Sequence, residues 1–570
     1  MTRVFAAAVA LLATLSLTLM AKAHPVLHYP LPPDSTAVNG VHQHLQQHVF
    51  RNVHPAPHVL PPAPVFPLSS GRPYSGAPID VLNYHYDNYP TGWNQSETDL
   101  TPGAVRSKNF GVLTVLNVKG NVLAEPLVVS NFQMPDGSTH DVLIVATGHN
   151  VVYAFDAKTY SQLWKASMGT PQSSGDVGCS DIVPEYGISS TPVIVRHSAS
   201  SATIYLVAAS EPAPFSFHTQ VHALDLGTGK DAIKPREIAP TATLSNGAGT
   251  LHFDPQNQWN RSSLVYANGN IYMGIGSHCD NNAGAISGWV LSYDASTLQS
   301  NGKFNTIEAA AGYELASVWM SGYAVAVNST GNILAVTGNG NFNTGAGMKG
   351  YGESVISLQS NLKLHSYFTP ADYQDLNNGD TDFGSGGVMV IPKQPGQTVP
   401  EMALAAGKEG TLFLLNASTL GGVQDNDAGA LQKLSVGDCW CGPAFYVGPK
   451  GPTVFFQGSY DGLHAYRVST TGTPQLTQIA QGTSGADFGG SFPVVSSNGQ
   501  VANSGVVWLI RHGDTMQLEA YNAELLGDPL FAANAGQWSN GSRGYLSPTV
   551  ANGRVYVPAY KTVTVFGLAK

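Results

Sequence analysis

Two aspartates, Asp380 and Asp382, stand directly before Phe383 and the run Gly384-Ser385-Gly386-Gly387. A carboxyl group set against aromatic and glycine surface loses hydration, which raises its pKa and suits it to proton transfer in acid. The glycines let backbone approach closely and offer N–H groups to an anion. Asp382 is therefore the first candidate for a catalytic group and Asp380 the second; hydrogen-bonding of a turn is the alternative role for both. Arg261, Lys408, Arg543 and His278 are the candidates for gripping a small dianion, since guanidinium and ammonium groups make charge-assisted hydrogen bonds to its oxygens. Trp259 and Trp319, with Trp440 and Trp538, would floor such a site or stack on a flat ligand, unless they serve packing alone. No fixed spacing of ligand residues marks a metal centre.

These residues are far apart in the chain, so the elements must gather them. From Phe110 onward one short strand recurs eight times: VYAFDAKT at Val152, VHALDLGTG at Val221, VLSYDAST at Val290, VISLQSNL at Val355, LFLLNAST at Leu412, LHAYRVST at Leu463, LEAYNAEL at Leu518 and VTVFGLAK at Val563. Each copy follows another β-rich strand, such as DVLIVATGHN at Asp141 or GNIYMGIGS at Gly269, and often an earlier one opening with Ser/Thr-Pro-Val. Intervals of roughly 45–70 residues fit four short strands plus loops, the blade of a propeller. The expectation is an all-β, eight-bladed β-propeller of four-stranded antiparallel blades, with seven blades as the alternative. The last copy lacks an outer strand, and FGVLTVLNV at Phe110 has no blade of its own, so this N-terminal strand is expected to close the ring and leave no open edge. Antiparallel alternation puts the loops before each first strand and between second and third strands on one face. All the candidates above fall in such loops.

Residue 3 is Arg, residues 4–20 are apolar, and Ala21-Lys22-Ala23 has the small-x-small form of a cleavage site, so residues 1–23 read as a secretory signal peptide. Residues 24–109, rich in Pro and His at first, read as a largely extended arm, and 110–570 as the propeller. Charged residues are 11% of the chain, Gly numbers 62, and the formal net charge is -10, with no basic runs. That balance excludes nucleic acid as a partner and gives a surface whose charge changes little in acid. No later stretch is long and apolar enough for a transmembrane segment. Expected partners are a small anionic substrate and no nucleic acid, with a homodimer allowed; the expected place is the periplasm, the outer-membrane surface or the exterior. Four cysteines in an exported chain allow two disulfides in three connectivities, of which Cys179–Cys279 with Cys439–Cys441 is one.

The strand-turn-strand VYAFDAKTYSQLWKASMG, with Asp at the turn and Trp on the next strand, resembles the repeat of the pyrroloquinoline-quinone (PQQ) propeller family. DVGCSDIVPEYGISSTPVI, VTGNGNF, DTDFGSGGVMVIP and AGKEGTLFLLNAS are similar to segments of a bacterial branch of exported PQQ-like propellers. In the family's dehydrogenases the resemblance implies PQQ lying on a Trp over the central channel, a Ca²⁺ held by carboxylate and amide oxygens, and often an adjacent cysteine pair covering the ring. This chain departs from that pattern: Cys439-Trp440-Cys441 is its nearest approach to such a pair, and it has no Cys-x-x-Cys-His haem site. A second branch, the tetrathionate hydrolases of acidophiles, keeps the ring without the quinone and is similar in compartment and charge-poor composition. The leading expectation is accordingly a cofactor-free hydrolase of tetrathionate working in acid, in which Asp382 or Asp380 handles protons. The alternatives are a PQQ- and Ca²⁺-dependent alcohol or sugar dehydrogenase, and a non-catalytic envelope propeller.

Overall fold

The computed structural model describes residues 62–67, 71–244, 249–307, 315–345, 349–513, 515–538 and 544–570, all within the unit His54–Lys570. The expected signal peptide, the His-rich start of the arm and Arg543 lie outside the described residues. Eight four-stranded antiparallel blades follow one another along the chain, two of them extended by a fifth short strand, Gln258–Trp259 in blade 3 and Trp93–Asn94, paired parallel, in blade 7. Blade 1 is Leu127–Gln133, Thr139–Ala146, Val151–Asp156 and Gln162–Ser167; blades 2 to 7 begin at Val193, Val265, Ala326, Val388, Ala444 and Val494. Blade 8 consists of Thr549–Ala551, Arg554–Pro558 and Tyr560–Leu568, and its outer strand is Phe110–Asn121, in register Val112 with Phe566 and Leu116 with Val563. The ring thus closes with the N-terminal strand that the truncated last repeat requires.

The burial of each strand explains its sequence. Val142 to Ala146 are all buried, because an inner strand is covered on both faces by neighbouring blades and so reads as a continuous apolar run. The outer strand Gln162–Ser167 has no buried residue and a mixed sequence. In four blades the acid or amide at the end of the third strand makes the turn to the fourth: Asp156 Oδ1 accepts from the N–H of Lys158 (2.8 Å) and Thr159 (2.5 Å), and Asp294, Asn416 and Asn522 accept likewise from residues two further on. Trp164 then bridges blades 1 and 2 by donating its Nε1–H to Leu226 O (2.9 Å).

The described part of the arm is bound to the ring, not free of it. Residues 81–94 run past the innermost strand of every blade. Val81 exchanges backbone hydrogen bonds with Val128, Leu82 O accepts from Ile194 N–H, and Asn88 Nδ2 donates to Tyr266 O. Asn88 O, Tyr89 O, Thr91 O and Gly92 O accept from the N–H groups of Val327, Val390, Phe445 and Val495. Asn94 Nδ2 and the Tyr86 hydroxyl donate to Val550 O, which completes the circuit at blade 8. Tyr84 and His85 are buried at the axis, stacked at 4.1 Å, with Tyr323 edge-on to both. A segment whose backbone partners are spread over eight sheets has no periodicity of its own, so its sequence shows neither strand nor helix.

The disulfides are Cys179–Cys279 and Cys439–Cys441. No helix among the described residues is long and apolar enough to cross a membrane.

Candidate functional site

The loops preceding blades 2 to 8, with the second-to-third-strand loops of blades 3 and 5, surround one cavity of about 430 Å³. Trp259, Arg261, Trp319, Asp380, Asp382 and Lys408 all line it, joined by Asp181, Asp280, Trp440, Phe488 and Tyr545. Antiparallel alternation alone delivers this convergence, since each of these residues leaves its blade at the same end.

Asp382 is 5% exposed. Its Oδ1 accepts from the Asn339 N–H at 2.7 Å, and its Oδ2 pairs with the Lys408 ammonium. Lys408 also donates to Asp380 Oδ1 and Asp380 O, both at 3.1 Å, and lies 5.9 Å from the Trp319 ring and 5.8 Å from the Trp440 ring. Burial would lower the pKa of this ammonium, but the charges of Asp382 and Asp380 hold it above the usual lysine value. Asp380 is the exposed member, its side chain 75% accessible, and is tied by Asn339 Nδ2–H at 2.7 Å. Gly338 makes this geometry possible: a Cβ there would stand 2.1 Å from Asp382 Oδ1.

Two further carboxyl groups face this cluster. Glu353 is fully buried and accepts the Phe383 N–H at 2.6 Å; burial, then the charge of Asp382, pushes its carboxyl up to about 9. Asp280, hydrogen-bonded by the Ser277 hydroxyl, is pushed up to about 6 by burial and by Asp382. Glu353 and Asn339 are absent from the residues the sequence nominates. Their signal is an acid or amide set against a buried strand, in GESVISL and VTGNGN, where side-chain direction decides the role.

On the floor, Arg261 is 3% exposed and donates from Nη1 to Ser189 O (2.7 Å) and from Nη2 to Tyr545 O (3.5 Å). Among the described residues no carboxylate pairs with it. Burial lowers its pKa to about 10, so it stays charged at neutral pH.

Two expectations need correction. His278 does not present a cation to the cavity: it is 1% exposed, stacked under Trp259 at 5.0 Å and edge-on to Tyr186 at 4.4 Å, and burial pushes its pKa down to about 3, leaving it neutral. The glycine run after Asp382 does not form an anion cradle either. Gly387 N–H donates to Cys441 O (3.0 Å), Ser385 N–H to Asp382 O (3.4 Å), and a Cβ on Gly386 would lie 2.0 Å from Ala406 O. Its service is close packing between blades.

Whether the donor set suits a divalent cation can be read from the same distances. Ca²⁺ takes six to eight oxygens. The oxygens of Asp382 and Asp380 already hold the Lys408 ammonium, and the single converging trio among the described residues, Cys179, Asp181 and Cys279, contains two disulfide sulfurs. The residues do not fit Ca²⁺. They do fit a planar anion: indole and phenyl walls, a buried guanidinium that no described carboxylate pairs, and a volume in the usual small-molecule range of about 300–1,000 Å³.

No family model matches the chain, and no curated relative does. Solved structures do match in fold. The quinohemoprotein alcohol dehydrogenase of Comamonas testosteroni is 14% identical with a TM-score of 0.56, covering 86% of this chain and 80% of its own. A europium-containing methanol dehydrogenase is 13% identical with a TM-score of 0.55, covering 85% and 90%. A quinohemoprotein alcohol dehydrogenase of Pseudomonas putida HK5 gives 12% and 0.54, covering 86% and 80%. The chain is an eight-bladed β-propeller of the quinoprotein-dehydrogenase type in fold.

Proposed function

We propose that the chain is an exported oxidoreductase whose cavity takes a planar, multiply anionic quinone of the PQQ class and oxidises a small alcohol or sugar. The observation that carries this reading is Arg261, a buried guanidinium without a carboxylate partner among the described residues, on the floor of an indole-lined cavity. A buried charge of this kind is stabilised by an opposite charge from a ligand. The resemblance in fold to alcohol and methanol dehydrogenases supports the same reading, and two disulfides accord with an oxidising compartment.

The quinone, when bound, supplies the acceptor for two electrons. The chain's residues do the rest. Arg261 would hold one of its carboxylates, Trp259, Trp319 and Trp440 would line its pocket and exclude water, and Asp382 would receive the proton of the substrate hydroxyl. Asn339 N–H and Lys408 fix the orientation of that carboxylate. Reconstitution with PQQ followed by alcohol-dependent dye reduction tests the proposal: activity that falls roughly 100-fold or more in Asp382→Asn supports it. Wild-type protein that neither binds PQQ nor reduces dye overturns it.

The two cationic groups in one cavity, Arg261 and Lys408, favour a second reading, cofactor-free hydrolysis of the dianion tetrathionate with Asp382 handling protons. Release of thiosulfate and sulfate from tetrathionate at acid pH, without added quinone, is the outcome that would select it.

A further inference from the structure

We infer that Lys408 is the resident cation of this site, and that the chain binds its anionic ligand without any divalent metal. The inference rests on the quinone reading for the identity of the ligand, but the cradle itself is on the chain. The ammonium is held by Asp382 Oδ2, Asp380 Oδ1 and Asp380 O, so each of its three N–H bonds has an oxygen acceptor. It is boxed between the Trp319 and Trp440 rings, 15% exposed in its side chain, and its backbone N–H donates to Asp382 O at 3.0 Å. Two carboxylates and a carbonyl converging on one point form the kind of oxygen cradle that hard cations occupy. Here a covalently attached ammonium fills it, and a Ca²⁺ would have to displace that ammonium against like-charge repulsion. The neighbouring Glu353 does not restore a metal set, since its carboxyl is turned to the Phe383 N–H.

The same arrangement assigns Lys408 a role. It offers a fixed positive charge beside the position of a bound anion, and it keeps the Asp382 carboxyl aimed. A cation that cannot dissociate makes the site indifferent to chelators.

Terbium luminescence sensitised by Trp319 and Trp440 tests the cradle independently of any quinone. Wild-type protein should give no sensitised emission from the cavity with micromolar Tb³⁺. Lys408→Met, which keeps the apolar stem and frees the two carboxylates, should gain emission, and the gain should vanish in K408M/D382N; melting curves verify that each variant is folded. Quenching of tryptophan fluorescence by PQQ provides the second arm: wild-type affinity in EDTA should equal that in millimolar Ca²⁺ within about twofold, since an ion that does not bind has no coupling to the ligand. Wild-type emission that disappears in D382N, a Ca²⁺ requirement for quenching, or no gain in K408M would each overturn the inference. Absence of quenching under every condition, with the terbium result as expected, would overturn the quinone reading and leave the resident cation standing.

Discussion

Arg261 holds its charge at the bottom of the cavity with carbonyl oxygens as its only polar contacts among the described residues, an arrangement that costs stability in the absence of a ligand. Arg261→Met should therefore separate two quantities that most mutations move together. Melting temperature should stay level or rise, while affinity for PQQ falls by about 10- to 150-fold, the weight of a hydrogen bond to a charged group. A variant that loses stability and keeps affinity would show the guanidinium to be a structural tie between Ser189 and Tyr545. The candidate residues were readable from sequence wherever loop position alone decides exposure, as for Arg261, Lys408, Asp380 and Asp382. His278 shows where that rule stops: it occupies a loop on the same face, yet Trp259 lies over it, and a sequence does not reveal which of two adjacent loop residues covers the other. Glu353 was hidden for the opposite reason. It opens a buried strand, and only its hydrogen bond from Phe383 N–H turns it toward Asp382.

Residues 81–94 act as a girdle inside the ring, joining the inner strands of the blades. Tyr323 ties this girdle to blade 6, since its hydroxyl reaches Pro90 O (2.7 Å) and Pro443 O (2.9 Å), with both oxygens buried around it. Tyr323→Phe should lower stability by about 1–3 kcal/mol, the cost of leaving buried acceptors unsatisfied. Chemical denaturation would measure it, and an unchanged midpoint would mean that the segment contributes little to holding the blades together. The blades themselves were legible because each third strand repeats an apolar run, five of the eight ending in a turn-forming Asp or Asn, and because an unpaired edge has to be closed by something. The girdle was not legible, since its hydrogen bonds go only one or a few at a time to each of eight different sheets. Its one proline suits such a path, as Pro90 has no N–H that would need a partner.

Across the molecule, burial has shifted two sets of groups in opposite senses, and together they set a pH range for the fold. Burial pushes Glu125 up to about 8 and Glu353 up to about 9, from an ordinary 4.5. Both stay protonated in the folded chain after the unfolded chain has released its protons, so their contribution is complete below 4.5 and is lost as pH rises toward 8 and 9. Burial also pushes His85 and His278 down to about 3 and His512 down to about 4, from 6.5. These remain neutral in the fold while the unfolded chain takes up protons, so their contribution is present above 6.5 and is lost as pH falls. Stability should therefore peak between pH 4.5 and 6.5 and fall on either side, with a slope near 1.4 kcal/mol per pH unit for each group titrating differently in the two states. Melting temperature measured from pH 3 to 9 checks the shape. Glu125→Gln and Glu353→Gln should each flatten the alkaline side and leave the acid side unchanged, because an amide has no proton to lose. A melting temperature that climbs steadily from pH 5 to 8 would mean that these carboxyl groups find ionised, solvated positions in the folded chain, and the suitability of this charge-poor protein for an acidic exterior would lose its physical basis.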